Sequence, residues 1–189
     1  RGLAQGERDD VRRQQVGVHD DPPLSHGLKV GLGTIMLSAL YEEALRRDLA
    51  GLDVDAAVAA FPEWPDLEPR IRAEGFAPEL LSAALAQSRA KHPTPGDLRR
   101  RLTTLRDDWP ALAERLRAQL LPAAEVERIL TTVGAVTHPS QIGLTPERFR
   151  ATYTRAMRIR SRYTLLDALH EAGLLDACID ALFAPGGFW

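Results

Sequence analysis

Three observations predict that this protein is all-α. Apolar residues recur every three or four positions along most of the 189-residue chain, which is the spacing of one helix face. Its 13 prolines and 14 glycines divide the sequence into pieces of helical length. Alternating β-branched runs, the usual mark of strands, are nearly missing. The first 21 residues are polar without helical periodicity, so we expect a flexible arm over residues 1–21 and a helical domain over 22–189.

The predicted helices follow in order along that domain. The first long helix covers residues 28–48, with Gly51 as a plausible C-terminal cap, and a short helix over 54–61 is ended by Pro62 and Pro65. Further helices are expected over residues 67–73, 77–90, 110–121, 123–133, 163–172 and 174–182.

Two more helices are predicted from their first residues. Either Thr94 or Asp97 is expected to cap a helix that carries Leu98, Leu102 and Leu105 on one stripe. The sequence Thr-Pro-Glu at 145–147 places a cap, a first-turn proline and an acidic residue at the start of another helix.

Composition excludes several classes of function. A net charge of -2 gives no general attraction for nucleic acid or an acidic membrane surface. No apolar run is long enough to span a bilayer, and no secretory signal pattern opens the sequence. The single cysteine, Cys178, cannot form an internal disulfide, and its helical spacing from Leu175, Ile179 and Leu182 predicts a buried apolar role. We therefore expect a cytoplasmic protein that binds a small molecule.

The strongest candidate for a metal-binding segment contains His26 and three nearby glycines. Neutral imidazole is the commonest protein ligand for divalent metals, and Gly27 leaves room beside it. Gly31 and Gly33 weaken a helix unless a neighbour approaches closely. The residues alone leave two interpretations open: His26 is a metal ligand, or it is an ordinary histidine and the glycines let two helices pack.

Three stretches in the same order resemble one enzyme family. They are HGLKVGLGT at 26–34, VGAVTHPSQIGL at 133–144 and RIRSRYTLLD at 158–167. They look like parts of bacterial-type sn-glycerol-1-phosphate dehydrogenases, which belong with the iron-type alcohol dehydrogenases, glycerol dehydrogenases and dehydroquinate synthases. The similarity runs from about residue 22 to the end and leaves out the arm. It implies the C-terminal helical half of such an enzyme, whose reaction reduces dihydroxyacetone phosphate.

The same resemblance implies a divalent metal, which is nickel, zinc or iron, with His26 as one ligand, and NAD or NADP as the hydride donor. The family's other metal ligands and its Gly-rich nucleotide loop find no counterpart in this sequence. No catalytic or nucleotide-binding residue is therefore assigned. We expect that this chain is incomplete and inactive without a nucleotide-binding half.

A basic cluster near the C-terminus is the candidate for substrate phosphate. Guanidinium groups bind phosphate in bidentate fashion, so Arg158 or Arg162 is expected to do so, although such arginines often form only a solvated helix face. His92, His138 and His170 are expected to be structural or solvated, with His138 as the best exception. The alternatives are a non-catalytic helical relic or interaction domain, or a fragment of a related glycerol dehydrogenase or dehydroquinate synthase. A homodimer is the candidate assembly.

Overall fold

The computed structural model describes the backbone of residues 26–189 and the side chains of residues 27–189. The predicted arm over residues 1–21 lies outside this range. The helices are α1 His26–Leu45, α2 Val54–Ala60, α3 Trp64–Ala73, α4 Pro78–Lys91, α5 Pro95–Gln119, α6 Ala123–Thr132, α7 Pro146–Arg158, α8 Leu165–Glu171 and α9 Leu175–Phe183, with a 3₁₀ helix over Pro139–Ile142. No strand occurs between residues 26 and 189, which confirms the all-α prediction.

Side-chain caps explain where several helices begin. Thr94 accepts a hydrogen bond from the Asp97 N–H at 3.2 Å, so Thr94 is the N-cap of α5 and Asp97 lies in its first turn. Thr145 accepts from the Arg148 N–H at 3.3 Å and caps α7, as predicted. The first helix ends at Leu45, before the expected residue 48.

One predicted boundary is wrong. The sequence predicts that a new helix begins at Pro110. Instead, α5 is a single helix of 25 residues, and Pro110 lies inside it. Proline removes one backbone hydrogen bond inside a helix and crowds the preceding turn. Trp109 and Ala113 on either side are buried, with 5% and 3% of their surface exposed, so their packing holds the helix together across the defect.

The core is formed where the long first helix meets the C-terminal helices. Helix α1 packs on α6 and α9, α2 packs on α5, and α8 contacts α5, α7 and α9. Tyr153 donates a hydrogen bond to the Met36 carbonyl at 3.2 Å, and the Trp189 indole N–H donates to the Tyr153 hydroxyl at 2.9 Å. Cys178 is fully buried in this core, which confirms its predicted apolar role. Among helices within residues 26–189, none combines the length and apolar character needed to cross a membrane.

Candidate functional site

Six buried or half-buried charged side chains from α4, α5, α7, α8 and the end of α3 lie together beneath the loop between α7 and α8. We call this set the charged cluster: Glu74, Lys91, Arg101, Arg158, Asp167 and Glu171. The Lys91 ammonium lies 2.6 Å from the Asp167 carboxylate, and Arg101 lies 2.6 Å from Glu171. Arg158 contacts Glu74 at 3.1 Å. Three cations therefore face three carboxylates, and the cluster is electrically balanced.

The sequence around α8 places these groups by local rules. Asp167 is the third residue of α8, and its carboxylate accepts from the Thr164 N–H at 2.8 Å and the Thr164 hydroxyl at 2.9 Å. This capping arrangement fixes the start of α8. The other oxygen of the same carboxylate forms the ion pair with the Lys91 ammonium. Asp167 therefore both caps α8 and connects α8 to α4.

The loop over residues 159–164 is held at both ends by the charged cluster, and we call it the basic loop. Arg158 precedes it and Thr164 ends it with the cap described above. The Tyr163 hydroxyl donates to Glu171 at 2.7 Å, and the Arg101 guanidinium lies 5.3 Å from the centre of the Tyr163 ring. Most of the loop faces solvent, including Arg160 and Arg162. The loop is thus an exposed basic segment on an anchored frame.

A small, partly open cavity of about 20 Å³ lies beside the charged cluster. Its walls include Ser88, Lys91, Arg158, Asp167 and His170. The Ser88 hydroxyl and the His170 Nε2 are buried without a hydrogen-bond partner among residues 27–189. A neighbouring groove of about 230 Å³, lined by aromatic and proline residues, shares Phe61, His92 and Pro93 with the cavity. Unpaired buried polar atoms call for an explanation, since most such groups in folded proteins are satisfied.

Burial shifts the titration of several groups around the cavity. It lowers the pKa of His170 to about 4, and the positive charge of Arg158 acts in the same direction. Burial raises the pKa of both Glu74 and Glu171 above the usual range, against the opposing effect of their arginine partners. The pKa of Tyr163 is raised by burial and by the nearby Glu171 charge. At neutral pH the His170 ring is therefore uncharged.

The depressed His170 pKa predicts acid sensitivity. The unfolded chain takes up this proton near pH 6.5, whereas the folded protein takes it up only near pH 4. At this site the unfolded state therefore binds more protons between these values, and the contribution of His170 to stability falls by about 2–3 kcal/mol as pH drops from 6.5 to 4. In urea unfolding across this window, the parent should lose more stability than His170→Gln by about that amount. Parallel curves for the two proteins would contradict the prediction.

The structure places the predicted phosphate-binding residues in different surroundings. Arg158 is only 4% exposed and is paired with Glu74, whereas Arg162 is exposed in the basic loop. The two guanidinium groups thus differ in access to a ligand, and phosphate binding stays a prediction for both.

His26 is the first residue of α1, but its side chain lies outside the described residues, so its predicted role as a metal ligand also stays a prediction.

Two of the three histidines between residues 27 and 189 have local hydrogen-bond partners. The His92 Nε2 lies 3.1 Å from the Pro62 carbonyl oxygen, and the ring packs near Phe61 and Trp64. His138 accepts from the Ser140 N–H at 3.3 Å and caps the 3₁₀ helix. His170 is neither solvated nor paired at Nε2. The charged cluster is not visible in the sequence, where its local signal is the pair Thr164 and Asp167 at capping spacing.

The divalent metal implied by the resemblance finds no complete ligand set among the described side chains. Over residues 27–189, no three His, Cys, Asp or Glu side chains are arranged to hold a metal ion. A catalytic zinc site usually has three protein ligands. The described side chains hold no such set, and the candidate ligand His26 is not one of them.

A second surface feature lies on α1 and α6. Val30 and Leu37 on α1 are 51% and 43% exposed, and Ile129 and Val133 at the end of α6 are 42% and 74% exposed. We call these four residues the α1–α6 face. A Cβ at Gly31 would lie 3.6 Å from Leu130, which is an ordinary van der Waals contact, so the packing of α1 on α6 does not require a glycine there. At Gly27 and Gly33, by contrast, no described atom lies within 4 Å of where a Cβ would stand.

Comparison with known proteins does not assign the chain to a family. No protein-family model matches the sequence, and neither the curated proteins nor the solved structures contain a match. The three stretches of sequence that resemble glycerol-1-phosphate dehydrogenases therefore stand without independent support.

Proposed function

We propose that this chain is the helical half of a metal-dependent, NAD(P)-linked polyol dehydrogenase. Within that class, we propose the bacterial type of sn-glycerol-1-phosphate dehydrogenase, which reduces dihydroxyacetone phosphate to glycerol 1-phosphate. Two findings support this proposal. The three resembling stretches occur in the same order as in the family, and the secondary structure of residues 26–189 is all-helical, as that half requires.

The basic loop is the observation that carries the proposal. Buried ion pairs contribute little net stability, because removing charges from water offsets much of their attraction. Here, however, three such pairs surround the two ends of one exposed loop. Binding residues are commonly found on loops that a rigid scaffold positions. We infer that the charged cluster holds the loop in one conformation so that its arginines meet a ligand.

The chemistry of the loop favours a phosphate ester. Arg162 is exposed, permanently charged and able to bind two phosphate oxygens at once. In this proposal Arg162 contacts the substrate phosphate, and Arg158, which is paired with Glu74, positions the loop without touching the ligand. Bound NADH or NADPH supplies the hydride.

A non-catalytic interaction domain is the second candidate, and the α1–α6 face favours it. Helix α1 is apolar on nearly all sides, a pattern typical of helices covered by protein. A decayed relic fits less well, because loss of one member of a buried ion pair costs about 3–5 kcal/mol and all three pairs are intact. Related glycerol dehydrogenases act on an unphosphorylated substrate, so the role of Arg162 separates them from the proposed enzyme.

Calorimetric titration of the 189-residue chain with dihydroxyacetone phosphate and with glycerol 1-phosphate tests the function. We expect saturable binding of both, and no binding of glycerol at the same concentrations. Arg162→Ala should weaken binding about tenfold or more, since a hydrogen-bonded charge pair contributes about 1.5–3 kcal/mol. Arg115→Ala removes another exposed arginine, from α5, and is the matched control.

Parallel titrations with Zn²⁺ and Ni²⁺ test the metal assignment. Metal binding by the parent and its loss in His26→Ala are expected. Equal metal content in both proteins would show that His26 is not a metal ligand.

The proposed substrate would be contradicted by equal affinity for phosphorylated and unphosphorylated ligands. It would also be contradicted if Arg162→Ala bound the ligands as tightly as Arg115→Ala.

A further inference from the structure

A groove lined by aromatic and proline side chains lies where the loop between α2 and α3 meets the loop between α4 and α5. We call it the aromatic groove. It has a volume of about 230 Å³ and is partly open to solvent. Four prolines contribute to its walls, which are Pro62, Pro65, Pro93 and Pro95. The groove therefore offers a mostly apolar surface that a ligand can reach from outside.

The rings of the aromatic groove are held in place by contacts within the protein. The His92 ring lies edge-on to the Trp64 ring, with the ring centres 5.6 Å apart, and its centre lies 5.5 Å from that of Phe61. The His92 Nε2 lies 3.1 Å from the Pro62 carbonyl oxygen, and the Trp64 indole N–H donates to Glu68 at 2.9 Å. A groove that is already ordered loses little conformational entropy when it binds a ligand.

One exposed cation of the aromatic groove has no carboxylate partner. The Arg89 guanidinium lies 5.0 Å from the centre of the Trp64 ring. Among residues 27–189 no carboxylate forms an ion pair with Arg89, and Glu68 beside the same ring is paired with Arg72. Stacking on a ring uses the flat face of a guanidinium and leaves the N–H groups of its edge free to bind an anion. A ligand carboxylate therefore complements the charge of this wall.

A second charged residue limits how acidic the ligand can be. Glu63 is exposed and lines the same groove from the loop between α2 and α3. Its negative charge repels carboxylates that approach it. The groove is thus suited to a single carboxylate beside Arg89, and a run of acidic residues would be disfavoured.

The size of the groove favours a peptide over a small molecule. Small-molecule sites are usually clefts of about 300–1,000 Å³ that bury most of the ligand. The aromatic groove is smaller, at about 230 Å³, and partly open, so it can cover one side of an extended chain. Proline-rich segments form a stiff polyproline II helix, and such segments bind grooves lined by aromatic rings with little loss of entropy.

We propose that the aromatic groove binds an extended, proline-containing peptide whose single acidic residue contacts Arg89. The prolines of the peptide pack against the Trp64 and Phe61 rings, and its carboxylate accepts hydrogen bonds from the Arg89 guanidinium. The proposal rests on the groove and its unpaired cation. It does not depend on the proposed dehydrogenase, whose phosphate ligand is assigned to Arg162 on the basic loop.

Calorimetric titration of the full chain with synthetic peptides tests the groove. The probe is an acetylated and amidated peptide of sequence Pro-Pro-Asp-Pro-Pro. One comparison peptide has lysine in place of the aspartate, and another has alanine in place of the four prolines. We expect saturable binding of the probe, with affinity about tenfold lower or more for each comparison peptide. The Trp64 indole N–H resonance should shift when the probe is added.

Two arginine variants locate the binding. Arg89→Ala should weaken binding of the probe about tenfold and leave the urea unfolding midpoint unchanged, because Arg89 is exposed. Arg115→Ala removes an exposed arginine of α5 that does not line the groove, and it should bind the probe like the parent.

Three results would overturn the proposal. They are no binding of the probe by the parent, equal binding of the aspartate and lysine peptides, and equal affinity of Arg89→Ala and Arg115→Ala for the probe. Titration with benzoate separates a peptide site from a small-molecule site. Binding of benzoate without binding of the probe would show that the groove takes a small aromatic acid instead, and it would also overturn the proposal.

Discussion

Replacing Asp167 with alanine is expected to lower the free energy of unfolding by about 3–5 kcal/mol, the usual effect of removing one partner of a buried ion pair. The change leaves the Lys91 ammonium buried, with 11% of that side chain exposed, and without its carboxylate. It also removes the acceptor for the Thr164 N–H and hydroxyl at the start of α8. Urea unfolding followed by circular dichroism measures the loss.

Two further variants show which part of Asp167 matters. Asp108→Ala, at an exposed site in the middle of α5, should change stability by less than about 0.5 kcal/mol. Asp167→Asn keeps an acceptor for the cap but removes the negative charge, so its loss should lie between those of the other two. If Asp167→Ala were as stable as Asp108→Ala, the charged cluster would not anchor the basic loop.

If the chain is part of the proposed dehydrogenase, the anchoring of the basic loop by Asp167 also affects ligand binding. Asp167→Ala should weaken phosphate binding even under conditions where the protein remains folded, because the basic loop loses one of its fixed ends. Arg162→Ala should weaken binding without an equal loss of stability, since Arg162 is exposed. The contrast separates a residue that positions the loop from one that contacts the ligand.

Replacing Phe149 with alanine is expected to lower the free energy of unfolding by about 3–5 kcal/mol, through lost apolar burial and the cavity left behind. Phe149 on α7 is 1% exposed, and its ring centre lies 4.8 Å from that of Trp189 and 6.2 Å from that of Phe183. These edge-to-face contacts join α7, α9 and the C-terminal residue. Thermal and urea unfolding should both show the loss.

Leu80→Ala is the control for Phe149→Ala, because Leu80 on α4 is 56% exposed and its truncation should change stability little. The Phe149 variant should also loosen the C-terminus, which a shift in Trp189 fluorescence would report. Equal stability of the Leu80 and Phe149 variants would show that the C-terminal segment is not part of the core.

Local sequence rules account for much of the fold. The apolar spacing of three to four residues predicts helices along the described part of the chain, Thr94 is one of the two caps predicted for α5, and Thr145 is the predicted cap of α7. These features depend on residues a few positions apart, so they can be seen in the sequence alone. The exception is Pro110, where the burial of Trp109 and Ala113 by neighbouring helices outweighs a local break signal.

The candidate site could be predicted only in part. The basic residues around Arg158 and Arg162 were visible as a charge pattern, but the pattern did not show that one is buried and the other exposed. Nor did it show the cavity, because Ser88 looks like any serine on a helix until the helices pack around it.

The sequence by itself determined the helical class, the approximate helix boundaries and the apolar role of Cys178, because each depends on short-range periodicity and caps. Only the tertiary structure decided how the charges pair. Arg101 and Glu171 are separated by 70 residues, and Arg158 and Glu74 by 84. Whether such charges meet a partner or solvent depends on how the helices pack, and electrostatic interactions depend on burial as strongly as on distance.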